Sequence, residues 1–233
     1  AAGGFSPNPQ SIMGYDNPII EWILIIFMTM AGASFPLQFK IFSGDIQLAL
    51  KDVELKLYLL SFVIGGCLLG LMLGGEINHL RTGLFQSASL ISSTGFASVD
   101  YNLWHDSLKG VLIAIMLVGG CAGSAAGGAK VIRLYLSGQH ILTELKKSLF
   151  PEAWFNIKFN DRSLPIELLR TTFNLVALYI FTYVFVALVL CILGNDLIVS
   201  FSASLACVGN IGPAFNELGP MGSFASVSNT SKM

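Results

Sequence analysis

Four stretches of the chain, residues 19–42, 55–73, 108–136 and 168–193, run apolar for about 20 residues or more. A helix rises about 1.5 Å per residue, so each stretch matches a hydrocarbon layer roughly 30 Å thick. Blocks of that length predict an all-α membrane protein and exclude most soluble architectures. The composition agrees, because 54% of the 233 residues are hydrophobic and only 12% are charged, about half the charged share of an ordinary soluble domain. Thirteen Lys and Arg nearly cancel fourteen Asp and Glu, so nucleic acid is not an expected partner. Membrane lipid is.

Two shorter apolar stretches, residues 79–91 and 197–208, come after Asn78 and Asn195, the expected helix N-caps. At about 12 residues each reaches roughly 18 Å, half a bilayer. Such a helix lies in the interface or enters the membrane and returns, and irregular backbone at that depth needs protein or a water-filled cavity around it. The small-residue loops at their ends favour re-entry, with Ser92-Ser93-Thr94-Gly95-Phe96 after the first and Gly209-Asn210-Ile211-Gly212-Pro213 after the second. Ser87-Ala88-Ser89-Leu90 also matches Ser202-Ala203-Ser204-Leu205, and the opening Ala1-Ala2-Gly3-Gly4-Phe5-Ser6 parallels Ser93 to Ala97. The repeating unit is therefore spanning helix, half-helix, glycine loop, spanning helix. Residues 1–54 hold the end of one unit, 55–145 a whole unit, 146–163 a connector and 164–233 most of another. The chain starts at Ala1 without an initiator Met, and it is expected to be a fragment.

Charge placement sets the expected orientation. Ten of the thirteen basic residues, Lys40, Lys51, Lys56, Lys130, Arg133, Lys146, Lys147, Lys158, Arg162 and Arg170, fall in two connectors, which should be cytoplasmic. The glycine loops then face outward, beside Arg81, Lys109 and Lys232 and the acids Asp16, Glu76, Asp100 and Asp106. Glu21, at the outer end of the first span, is expected to be solvated by the interface.

A half-helix that ends in a glycine loop suits a cation. Its C-terminal carbonyl end carries about half a negative charge. The loop's carbonyls can replace a hydration shell, and Gly permits the dihedrals that aim them. Ordinary turns between membrane helices are the competing explanation. The densest glycine run, Gly119-Gly120-Cys121-Ala122-Gly123-Ser124-Ala125-Ala126-Gly127-Gly128-Ala129-Lys130, interrupts the third span. Gly119, Gly123 and Gly127 have the spacing of a close helix-packing face, and composition alone favours that. A phosphate loop is excluded because Gly128-Ala129-Lys130-Val131 lacks the GK[ST] ending. The third possibility is a helix break lining a cavity. The four cysteines have no metal-ligand spacing and are expected to be reduced structural thiols. No Ser, His or Cys arrangement suggests a nucleophile, so no enzyme is expected.

Taken together, Ser93-Thr94-Gly95-Phe96, the Gly119 to Lys130 run with Val131-Ile132-Arg133, the opening Gly3-Gly4-Phe5-Ser6-Pro7 and Asn210-Ile211-Gly212-Pro213 resemble the Trk/Ktr/HKT superfamily of potassium transporters, most closely the bacterial TrkH-like membrane subunits. The resemblance implies repeated helix, pore helix, filter loop and helix units around a central pore, pseudo-fourfold in the complete protein. It implies potassium uptake across the bacterial inner membrane by a multi-pass protein, with K+ as cargo passing filter carbonyls and no organic cofactor. By the same resemblance, Gly4, Gly95 and Gly212 are the filter glycines, with Gly3, Thr94 and Ile211 beside them and Ser93 and Asn210 at the loop starts. Phe5 and Phe96 brace the loops by packing. Gly119, Gly120, Cys121, Ala122, Gly123, Ser124, Gly127 and Gly128 belong to an intramembrane gating loop, with Lys130 and Arg133 either holding it or anchoring it to the cytoplasmic side. Implied partners are a second copy, as a homodimer, and a cytosolic TrkA-like nucleotide-binding regulatory subunit; the basic connector from Lys146 to Arg162, with Trp154 and Phe155, is either a docking surface for it or a solvated charged loop. Ala1 and Ala2 depart from the family by lacking a hydroxyl. The alternative is a secondary transporter of another cation or a small substrate that uses broken helices.

Overall fold

The computed structural model describes residues 2–150, 157–160 and 162–222. Nearly all regular structure is helical: α1 (Pro18–Gly32), α2 (Phe35–Phe42), α3 (Ile46–Lys51), α4 (Val53–Leu73), α5 (Ile77–Ile91), α6 (Asp106–Val118), α7 (Val131–Leu149), α8 (Ile166–Ile192) and α9 (Leu197–Val208). A two-residue antiparallel pair, β1 (Lys158–Phe159) and β2 (Arg162–Ser163), joins Lys158 to Ser163 in register. Trp154 and Phe155 lie outside the described residues.

Among the described residues two helices are long and apolar enough to cross a bilayer unaided, α4 with 21 residues and α8 with 27. Asp52 starts α4 by accepting the Leu55 N–H at 2.9 Å, a standard N-cap. Only 11% of the most apolar window of α8 is buried, and Leu178, Phe181, Phe185, Leu188 and Ile192 are exposed along it. An apolar surface of that extent calls for lipid.

The other two predicted spans are broken. Residues 19–42 form α1 and α2, bent by 108°, because Pro36 has no N–H to continue the ladder onto Gly32. Residues 108–136 form α6, a non-helical stretch over 119–130 and the first turns of α7. The packing-face arrangement of Gly119, Gly123 and Gly127 needs one continuous helix and does not occur. Close packing of small residues occurs elsewhere, between α4 and α5. A Cβ on Gly66 would stand 2.9 Å from the Leu84 Cα, and one on Gly70 2.8 Å from the Leu80 Cα. Gly83 approaches the Gly66 and Gly70 backbone from the other side, the small-residue contact that lets membrane helices touch backbone to backbone.

The expected caps are displaced. Glu76 and Asp196 hold the N-cap positions of α5 and α9 without a side-chain cap. Asn78 instead accepts from Arg81 Nη1 at 3.2 Å, and Asn195 donates to the Leu190 carbonyl at 2.9 Å. Both short helices run into the middle of the molecule. There Leu90, Ile91, Leu112, Met116, Cys121, Leu205, Ile211 and Phe215 form one buried cluster, and Ile12, Ile25, Met28, Phe85 and Ala88 a second.

Candidate functional site

The two short helices end identically. After α5, the N–H groups of Ser92, Ser93 and Thr94 donate to the carbonyls of Ala88, Leu90 and Ser89 at 3.1, 3.1 and 2.9 Å. After α9, Gly209, Asn210 and Ile211 donate to Leu205, Cys207 and Ala206 at 2.9, 3.1 and 2.8 Å. Each is a Schellman motif, with Ser93 (φ 54°) and Asn210 (φ 53°) in the left-handed position usually held by Gly. Two residues later come Gly95 (φ 76°) and Gly212 (φ 108°). Counted from these glycines, Ser87 and Ser204 are equivalent, each eight residues upstream. Their hydroxyls make the same kind of bond, to the carbonyls of Phe62 in α4 and Tyr183 in α8 at 2.8 and 2.7 Å. The structural repeat is thus offset by two residues from the Ser87-Ala88-Ser89-Leu90 match, which aligned Ser87 with Ser202. Small residues recur so often here that local identity picked the wrong register.

Three glycine loops converge. Gly3 and Gly4 donate their N–H groups to the Ser93 and Thr94 carbonyls at 3.0 and 2.7 Å. A Cβ on Gly4 would stand 3.1 Å from the Gly95 carbonyl oxygen and 3.5 Å from that of Ile211. One on Gly95 would collide with the Ile211 carbonyl oxygen, and one on Gly212 with that of Gly3. Backbone carbonyls crowd Gly95 and Gly212, while the Pro213 ring and Asn210 Oδ1 also come within 3.0 and 3.6 Å of the Cβ positions of Gly4 and Gly3. The Ile211 side chain is fully buried in the core, and Thr94 Oγ1 is tied to Ser92 Oγ at 2.8 Å. A cavity of about 700 Å³ opens at the meeting point itself, lined by Gly3, Gly4, Gly95, Asn210 and Gly212 with Phe5 at its rim.

The phenylalanines separate. Phe96 packs against the cluster of Ile12, Ile25, Met28, Phe85 and Ala88, and its carbonyl accepts from Ser89 Oγ at 2.6 Å. Phe5 is 82% exposed at the cavity rim, so it does not brace its loop by burial. Phe96 has the α1 and α5 side chains over it, and among the described residues no comparable pair covers Phe5.

Residues 119–130 fill the break between α1 and α2. The bend orphans the Ala31 and Gly32 carbonyls and the Phe35 N–H, and this loop satisfies all three. Ala125 and Cys121 donate to Ala31 and Gly32 at 3.2 and 2.8 Å, and Gly123 accepts from Phe35 at 3.0 Å. The loop also reaches the glycine loops, because the Gly127 N–H donates to Ser93 Oγ at 3.0 Å and a Cβ on Gly127 would collide with the Gly209 carbonyl. Gly119, Gly123 and Gly128 take φ of 72°, 70° and 78°, and Gly120 sits over the Gly32 carbonyl, 2.8 Å from where its Cβ would be. Ser124 Oγ donates to the Cys121 carbonyl at 2.6 Å. Lys130 Nζ donates to the Ala126 carbonyl and, at 3.5 Å, to Ser124 Oγ. Lys130 therefore holds the loop through carbonyl and hydroxyl partners. Arg133 contributes its backbone N–H to Lys130 at 3.0 Å in the first turn of α7.

Two contacts escaped sequence reasoning. Glu54, buried in the first turn of α4, accepts the Ala122 N–H. In the sequence it looks like any acid at a span's end, and only its rarity in so apolar a stretch marks it. Glu21 is not solvated as expected, because Arg81 Nε donates to its Oε2 at 2.7 Å and joins α5 to α1. Among the described residues no cluster of three or more His, Cys, Asp or Glu could hold a metal. All four cysteines are free thiols.

The TrkH family model, described as a cation transport protein, matches residues 75–233. The Trk system potassium uptake protein TrkH of Salmonella typhimurium strain LT2 is 29% identical over 240 residues, covering 100% of this chain and 49% of that protein. TrkH of Vibrio parahaemolyticus serotype O3:K6 is 30% identical over 227 residues, covering 94% and 47%. The crystal structure of the potassium transporter TrkH from Vibrio parahaemolyticus superposes with a TM-score of 0.84 at 28% identity, over 98% of this chain and 50% of that one. The chain spans about half the length of the curated relatives it matches.

Proposed function

Because the chain belongs to the TrkH family of cation transport proteins, we propose that it supplies three filter segments and the intramembrane gate of a potassium uptake protein in the bacterial inner membrane. The observation that carries this is the meeting of the backbones of Gly3, Gly4, Thr94, Gly95, Ile211 and Gly212 at the C-terminal ends of two half-length helices. A K+ ion entering there exchanges water for carbonyl oxygens, and the helix ends add negative potential. Ser93 and Asn210 set the start of two segments through their left-handed turns. In the first segment Ala2 takes their place, so coordination falls to the carbonyls of Gly3 and Gly4.

Residues 119–130 act as the gate. They are non-helical, pack against the base of two loops and are fixed by reversible hydrogen bonds. Residues 1–54 are assigned to the end of a second repeat, 55–145 to a third and 164–233 to a fourth. Residues 146–163 are assigned to a cytoplasmic connector on which a TrkA-like nucleotide-binding subunit docks, and the unit works as a homodimer. Transport is the activity, without covalent chemistry. A high-resolution map in K+ tests the site directly: density level with the Thr94 and Ile211 carbonyls is expected, and its absence would favour a non-conducting scaffold.

A further inference from the structure

Ser93 is 1% exposed and stands where two systems meet. Its carbonyl accepts the Gly3 N–H at 3.0 Å, which fixes one glycine loop on another. Its hydroxyl accepts the Gly127 N–H at 3.0 Å, which fixes the 119–130 loop on the same residue. Its φ of 54° is held by the Schellman turn at the end of α5, so the hydroxyl cannot follow Gly127 away without disturbing the turn that aims Thr94 and Gly95. On the opposite side Gly127 presses on Gly209, and its Cβ position lies 3.4 Å from the Asn210 Cβ. One glycine of the loop is thus wedged between the starts of two segments that share the same cap.

We propose that Ser93 is a positioning residue that couples the two, so that the seating of the 119–130 loop and the geometry of the Thr94-Gly95 segment form one equilibrium and withdrawal of the loop relaxes ion preference. This rests on reading the glycine loops as the filter. Coupling is reciprocal by thermodynamic necessity, so removing the hydroxyl should unseat the loop as well as loosen the segment. Ser93→Gly is the first variant, because Gly keeps the left-handed turn while the loss of the CH2OH group removes the acceptor. Ser93→Asn, copying Asn210, keeps the turn and restores an acceptor.

The first measurement is hydrogen exchange of the amides in 119–130. In Ser93→Gly the amides of Cys121, Ala122, Ala125 and Gly127 should all exchange faster by a common factor of about five, the scale of one neutral hydrogen bond, with recovery in Ser93→Asn. Acceleration confined to Gly127, or none, overturns the coupling, and this arm does not depend on any ion selectivity. The second is the K+ over Na+ flux ratio of the reconstituted transport unit containing this chain. Ser93→Gly should lower it with the loop present and leave it unchanged once residues 121–127 are deleted. An equal drop in both backgrounds also overturns the coupling. Failure of the filter reading is separately visible, as a ratio indifferent to Gly95→Ser in the same unit.

Discussion

For single residues, backbone conformation and backbone approach decide identity together. Gly95 has a φ of 76°, and its missing Cβ leaves room for the Ile211 carbonyl. Either demand alone favours Gly, and both at once leave no alternative. Glu54 is constrained differently. It is a buried carboxylate whose partner is the Ala122 N–H of an irregular loop, a charge-assisted bond worth about 1.5–3 kcal/mol. Glu54→Ala should therefore lower the stability of the detergent-solubilised protein by about that amount. Glu54→Gln, which keeps an acceptor oxygen, should lose less. Thermal unfolding of both variants checks this, and equal, negligible shifts would remove Glu54 from the loop's support.

Among the helices and loops, hydropathy located the bilayer-length blocks well, and α4 and α8 track them closely. The breaks were harder to place, because hydropathy measures transfer to lipid and carries no information on which carbonyl meets which N–H. The bend after α1 goes unread in the 19–42 block, although Pro36 lies within it. What Pro36 could not reveal is that the freed Ala31 and Gly32 carbonyls are taken by Ala125 and Cys121, far along the chain. The two glycine loops after α5 and α9 were legible from composition, whereas their true register came only from the matching Schellman bonds. The close α4 to α5 contact was missed because Gly66, Gly70 and Gly83 are dispersed among larger apolar residues. Gly83→Ala should cost about 1–3 kcal/mol by overpacking, whereas Gly110→Ala, inside α6 with nothing near its Cβ position, should be neutral or stabilising by up to about 1 kcal/mol. A comparison of the two melting temperatures tests the contact. If residues 119–130 are the gate, deleting residues 121–127 in the reconstituted transport unit should raise cation flux. A folded, membrane-inserted deletion with no flux would instead make the run a packing element.

Across the whole molecule, the repeated helix, half-helix and glycine loop brings three chain segments to one point, although the chain spans about half the length of its curated relatives. Buried hydroxyls hold this arrangement from behind: Ser89 and Ser93 bond the loop backbone of Phe96 and Gly127, and Ser87 and Ser204 tie α5 and α9 to the Phe62 and Tyr183 carbonyls of α4 and α8. The chain alone should therefore not conduct in liposomes, and flux should appear when the sequence matching the other half of its relatives is supplied. Flux from the chain alone would show that three segments suffice. If the carbonyls around Gly95 select K+, the K+ over Na+ flux ratio of the reconstituted transport unit must depend on that glycine, and the decisive comparison is Gly95 against Gly95→Ser. The added side chain must displace the Ile211 carbonyl, so the ratio should fall while the protein stays folded and inserted. An unchanged ratio in a folded, inserted variant would contradict selection by these carbonyls.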